Sequence, residues 1–131
     1  MVTAPGLLDA SVLIAVPEVI DLMPEITAIA AITAAELAAA PHLTSDPMEA
    51  ARRQLRLQEV TAVYEPIPFD AAAAASYGLI AAAVSRRGRT PRRRLADLLI
   101  AATAHAHGLD VYTRNPDDFA GLDDLVRVVA V

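Results

Sequence analysis

Five acidic residues in this 131-residue chain could do chemistry together: Asp9, Glu36, Asp97 and the adjacent pair Asp117 and Asp118. Each has an ordinary structural reading. Asp9 can cap the helix that follows it. Thr33-x-x-Glu36 matches a capping box. Asp97 suits the positive end of a helix, and Asp117 and Asp118 suit the first turn after an Asn115 cap and Pro116. The joint reading differs. Carboxylates gathered at one place repel and must be neutralised. Folds gather them chiefly to hold a hard divalent cation, Mg²⁺ or Mn²⁺, through oxygen.

Other chemistries find less support. His105 and His107 are two apart and do not share a helical face, and His42 falls in a loop. There is no cysteine, hence no thiolate zinc site and no disulfide framework. All 11 basic residues are arginine, so any site that needs a lysine is excluded, a P-loop or a Schiff base among them. No serine sits in a nucleophile elbow. Arg86, Arg87, Arg89, Arg92, Arg93 and Arg94 crowd into one short segment just before Asp97 and could hold flanking phosphates. Arg86 and Arg87 equally suit a helix C-terminus.

The elements that must position these acids alternate between strand and helix. Strands are expected near 5–9, 26–32, 66–69, 109–113 and 126–130, the prolines at 66 and 68 marking an edge. Helices are expected over 10–15, 18–23, from Thr33 to Pro41, from Asp46 to about Val63, from Asp70 to about Arg87, and from Leu95 to the Gly108 stop. On the helix from Leu95, the stripe of Leu95, Leu98, Leu99, Ala102 and Ala106 should meet a core, with Asp97 nearly opposite beside Ala101 and Ala104. Alternation of this kind implies a parallel sheet with helices on both faces, whose ligands sit outside the carboxyl ends of the strands. Asp9, Glu36, Asp117 and Asp118 follow strands, and Asp97 lies on the helix that feeds the fourth.

The composition is compatible with one α/β domain over 1–131. Hydrophobic content is 55 %, much of it alanine, which favours helix. No apolar run reaches bilayer length and the N-terminus lacks a basic-then-apolar leader, so a cytoplasmic protein is expected. A net charge of −5 argues against a general nucleic-acid coat.

The segments LLDASVLIA (7–15), ITAAEL (32–37), RRLADLLIAATAHAHG (93–108) and TRNPDDF (113–119) together resemble the PIN-domain ribonucleases. Within that superfamily they resemble the VapC toxins of VapBC toxin–antitoxin pairs. The resemblance implies a PIN-like three-layer sandwich, with a parallel sheet of four or five strands flanked by helices. It also implies a metal-dependent endoribonuclease using Mg²⁺ or Mn²⁺, with single-stranded or loop RNA as substrate. By matched position, Asp9 and Asp97 would be the principal metal ligands and Glu36 would complete the site directly or through water. The fourth acid comes from TRNPDDF. Many superfamily members carry aspartate where Asn115 stands, and the toxin branch often has an acid just before the phenylalanine. That favours Asp118, with Asn115 as a water- or substrate-holding neighbour and Arg92, Arg93 and Arg94 as substrate contacts. The partners implied are RNA, a VapB-like antitoxin that blocks the acidic pocket with an arginine, and a second copy of the chain.

Two other readings stay open. A PIN-like module without catalysis would serve as an interaction domain. A haloacid-dehalogenase-like phosphatase also ends its first strand in aspartate, but it needs a second acid where Ser11 stands, and a lysine.

Overall fold

The structure, a computed structural model, describes residues 5–89 and 94–131. Its elements in order are β1 (Gly6–Leu8), α1 (Ala10–Ile14), α2 (Val16–Val19), β2 (Thr27–Ala28), α3 (Ala31–Ala39), α4 (Pro47–Val63), α5 (Ala71–Arg86), α6 (Leu95–His107), β3 (Asp110–Thr113) and β4 (Val128–Ala130). The four strands form a parallel sheet in the order β2-β1-β3-β4, flanked by helices in a PIN-like α/β arrangement. Among the described residues, no helix is long and apolar enough to cross a membrane.

Alternate residues of β1 face opposite layers, as the pleat requires. Leu7 packs with Ile80, Val84, Leu98 and Val111, and Leu8 packs with Val12, Leu37, Val60 and Tyr112. The cores on the two faces are therefore set by neighbouring residues of one buried strand.

Helix ends follow local chemistry. Asp46 and Asp70 cap α4 and α5 through Met48 N–H and Ala73 N–H. Gly108 closes α6 in the left-handed region, at φ +66.

The expected strand 26–32 is much shorter. Only Thr27 and Ala28 pair with β1, and α3 begins at Ala31. Alanine's helical preference prevails over the β-branched residues once the ladder to Gly6 and Leu7 ends. The expected strand 66–69 is a single bridge between Ile67 and Ala30. Pro66 and Pro68 have no N–H to give, so Ile67 alone pairs, donating to Ile29 O and accepting from Ala31 N–H.

The proposed Thr33 capping box does not form. The N-cap is Ala30, with no side-chain cap, and Thr33 sits inside the helix with its Oγ1 buried and without a partner. Glu36 is thus freed from its structural explanation. The apolar stripe expected on α6 is also too narrow. Ile100, Ala101, Thr103 and Ala104 are buried as well as Leu98 and Ala102, whereas Leu95 is exposed. The helix is enclosed because α5 packs along one side of it and the sheet lies on another.

Candidate metal-binding acid site

Parallel topology decides which ends meet. Asp9 follows the last residue of β1, and Thr113 ends β3 beside it. Helix α3 starts at the carboxyl end of β2. Helix α6 runs back toward the amino edge to feed β3, so its first turn, which carries Asp97, lies at the carboxyl edge.

Four acids share that edge and feel one another's charge. Burial, then the charges of Asp118 and Asp9, push the Asp97 carboxyl from 3.8 up to about 6, against a smaller opposing pull from Arg94. Burial, then Asp97 and Asp9, raise Glu36 above the usual carboxylate range. The same-sign field therefore links Asp9, Glu36, Asp97 and Asp118.

The register of the acid turn is also decided. Pro116–Phe119 is a 3-10 helix rather than α-helical, so successive side chains diverge by about 120°. Phe119 is buried in the core, Asp118 is half-buried and Asp117 is exposed. Asp118 is the member of the pair whose charge bears on Asp97. Asn115 stands at the cap position, but its side chain makes no cap bond. Its exposed side chain leaves the turn to the backbone contact from Asp118 N–H to Asn115 O, 3.0 Å.

Two hydroxyls that sequence reasoning did not place in the site surround Asp9. Ser11 Oγ donates to Oδ1 and Thr113 Oγ1 donates to Oδ2, each at 2.5 Å. Val12 N–H also reaches Oδ1, at 3.2 Å, so the helix-cap reading of Asp9 holds alongside its place at the edge. The sequence signal for them is the hydroxyl two residues past Asp9 and the threonine that ends β3.

Arg94 turns inward rather than toward solvent. Its Nη1 donates to the carbonyls of Asp118 and Asp117, and its Nη2 is buried with no hydrogen-bond partner among the described residues. It ties the acid turn to the head of α6. Arg92 and Arg93 lie outside the described residues. The histidines stand apart from the site, and His105 Nδ1 meets Ser76 Oγ at 2.8 Å between α5 and α6.

An all-oxygen carboxylate set with Arg94 as its one opposing charge among the described residues suits a hard cation. Among the described residues no three acids or imidazoles already form a metal cage. The donor chemistry fits Mg²⁺ or Mn²⁺, and what the acids share here is a common field. A separate apolar groove of about 460 Å³ lies between α1–α2 and α4, lined by Leu13, Ile14, Val16, Val60, Val63 and Tyr64. None of the site acids lines it.

The raised Asp97 carboxyl has a consequence for stability. A folded-state pKa above the unfolded value means that the folded chain holds this proton more tightly. The contribution is complete below pH 4 and is lost as pH rises through about 6. A carboxyl moved from 3.8 to about 6 nominally changes stability by about 3 kcal/mol, and solvent screening of a half-buried group reduces this to about 1 kcal/mol. In metal-free buffer the stability gap between wild type and Asp97→Asn should therefore widen from pH 4 to pH 7, in favour of the variant. Urea midpoints at both pH values test this, and a gap that does not change would show that Asp97 carries no such strain.

Comparison with known proteins agrees with the fold. Residues 7–125 match the PIN domain family. VapBC-5 of Mycobacterium tuberculosis, a member of the VapBC family of toxin–antitoxin systems, is 34 % identical. That match covers 98 % of this chain and all of that one, with a TM-score of 0.86. FitAcB of Neisseria gonorrhoeae is 28 % identical over 94 % of this chain and 95 % of that one, at 0.71. The DNA-bound VapBC of Salmonella typhimurium is 25 % identical over 98 % of each chain, at 0.73. No curated protein sequence matches. The haloacid-dehalogenase alternative falls with these matches. The chain belongs to the PIN domain family and is a PIN domain of the VapC type.

Proposed function

We propose that this protein is the toxin of a type II toxin–antitoxin pair, an endoribonuclease that cleaves single-stranded or loop RNA and depends on Mg²⁺ or Mn²⁺. The observation that carries the reading is the meeting of Asp9, Glu36, Asp97 and Asp118 at one sheet edge, with the Asp97 and Glu36 carboxyls raised first by burial and then by their neighbours' charges. Asp9 and Asp97 are the principal candidate ligands, and Glu36 and Asp118 complete the set. Held there, a divalent cation would make water more acidic near neutral pH and would offset charge on the scissile phosphate.

The chain's own residues do the rest. Asp9 is held by Ser11 and Thr113. Asp97 and Asp118 are kept together by Arg94 across the head of α6. Glu36, its carboxyl raised by burial and then by Asp97 and Asp9, is suited to accept and release a proton from attacking water. Single-stranded RNA is favoured because its phosphodiester is accessible outside a helix. Arg92 and Arg93 are proposed to hold flanking phosphates, and Asn115 to contact substrate. Arg94 acts from inside the site.

The partner is a VapB-like antitoxin, as in the toxin–antitoxin relatives. An arginine entering the acid edge would pair with its carboxylates. The apolar groove between α1–α2 and α4 offers the same partner apolar area away from the acids. A homodimer is part of the proposal through family membership.

Purified protein should cleave single-stranded RNA in Mg²⁺ or Mn²⁺, and chelation should abolish cleavage. Expression should arrest growth, with relief by co-expression of its VapB-like antitoxin. Folded protein that leaves RNA intact with both metals would instead favour the interaction-module reading.

A further inference from the structure

We infer that Ser11 and Thr113 are positioning residues that leave Asp9 a single free lone pair, on Oδ2, so that Asp9 takes a divalent cation through that oxygen alone. The inference rests on the metal-dependent reading above and deepens it.

The directions of the hydroxyl protons follow from the backbone. Arg114 N–H donates to Ser11 Oγ at 3.0 Å, and Asn115 N–H donates to Thr113 Oγ1 at 2.9 Å. An N–H has no other role, so each hydroxyl accepts there and has one proton left to give. The two hydroxyl oxygens are 3.5 Å apart, while each lies 2.5 Å from a carboxylate oxygen of Asp9. A charged acceptor at the shorter distance wins both protons.

A carboxylate offers about four lone-pair sites, two on each oxygen. Oδ1 receives Ser11 O–H and Val12 N–H and is filled. Among the described residues Oδ2 receives only Thr113 O–H, so one site remains. Asp9 is 6 % exposed and Thr113 fully buried, so bulk water does not compete for these positions. The bracket also links elements. Its two N–H donors belong to the residues that lead from β3 into the acid turn, so Asp9 and the segment carrying Asp118 are held in one hydrogen-bonded frame.

Such outer contacts fix the orientation of a ligand, and their loss typically weakens metal binding about 10- to 100-fold. Mn²⁺ binding to the full chain, followed by electron paramagnetic resonance, should show Ser11→Ala and Thr113→Val weakened by about that factor. Ser11→Thr and Thr113→Ser, which keep the hydroxyls, should bind like wild type. Retention of the fold is read by thermal unfolding, and the Ser11 pair carries the test if Thr113→Val does not fold. A crystal structure with Mn²⁺ should show Asp9 bound through Oδ2 only. Wild-type binding with unaffected hydroxyl-deleted variants, or an Asp9 that chelates through both oxygens or through Oδ1, would overturn the inference and leave the metal reading standing. A wild-type chain that binds no Mn²⁺ would sink both.

Discussion

Asp97→Asn should abolish RNA cleavage while the protein stays folded. Asp97 combines three features that a solvated first-turn acid does not have. It is half-buried on an otherwise enclosed helix, it faces the charges of Asp118 and Asp9, and its carboxyl is pushed up to about 6. Asparagine keeps the shape and removes the charge that a hard cation requires. The loss should exceed the roughly 10- to 100-fold typical of removing an outer-shell partner, reaching about a thousandfold or more in cleavage rate. Stability should move the other way. The neutral side chain escapes repulsion, so the metal-free variant should be more stable at pH 7. Asp118→Asn should also impair cleavage and Mg²⁺ affinity, while Asp117→Asn, on the exposed side of the turn, should not. Cleavage at the wild-type rate by folded Asp97→Asn would remove this residue from the site. Damage from Asp117→Asn with a silent Asp118→Asn would put the acid turn one residue out of register.

Gly6→Val should have the largest effect on folding. Gly6 shares its face of β1 with Leu8, and Tyr112 of β3 lies on that face. A Cβ at Gly6 would stand 2.6 Å from Pro24 Cγ and 2.6 Å from Tyr112 Cδ1. Neither neighbour is the free end of a flexible chain. The Tyr112 ring is buried, and Pro24 is a ring fixed to its backbone just before β2. Overpacking of a core commonly costs about 1–3 kcal/mol, and two rigid neighbours place even Gly6→Ala at the upper end. The larger valine should cost more than about 3 kcal/mol, a large part of the roughly 5–15 kcal/mol that holds a domain of ordinary stability. Urea unfolding read by circular dichroism measures it. A midpoint within error of wild type would mean that the sheet can shift at β1 without loss, and Asp9, just past the end of that same strand, would then be less firmly placed than its hydrogen bonds indicate.

Local chemistry was legible in the residues themselves. The starts of α4 and α5 follow Asp46 and Asp70, the end of α6 follows Gly108, and β3 (Asp110–Thr113) lies within the stretch expected near 109–113. These features depend on a few adjacent residues and a backbone rule, so they survive in any context that permits them. The alternation of strand and helix likewise fixed a parallel sheet, and with it the edge where ligands would lie.

The tertiary structure decided what depends on distant partners. Isoleucines 26, 29 and 32 suggested a long strand, but β1 offers pairing only for Thr27 and Ala28, so the chain turned helical and the Thr33 cap disappeared. The enclosure of α6 came from α5 and the sheet, which no periodicity within α6 could reveal. Which aspartate of the pair turns inward was set by the anchoring of Phe119 and the tighter pitch of the 3-10 turn. The frame around Asp9 joins Ser11 to residues more than 100 positions away. The sequence by itself determined which residues can carry negative charge and at which strand ends they fall. Only the packed sheet determined which of those charges repel, because electrostatic strength depends on separation and burial, and both are properties of the folded chain.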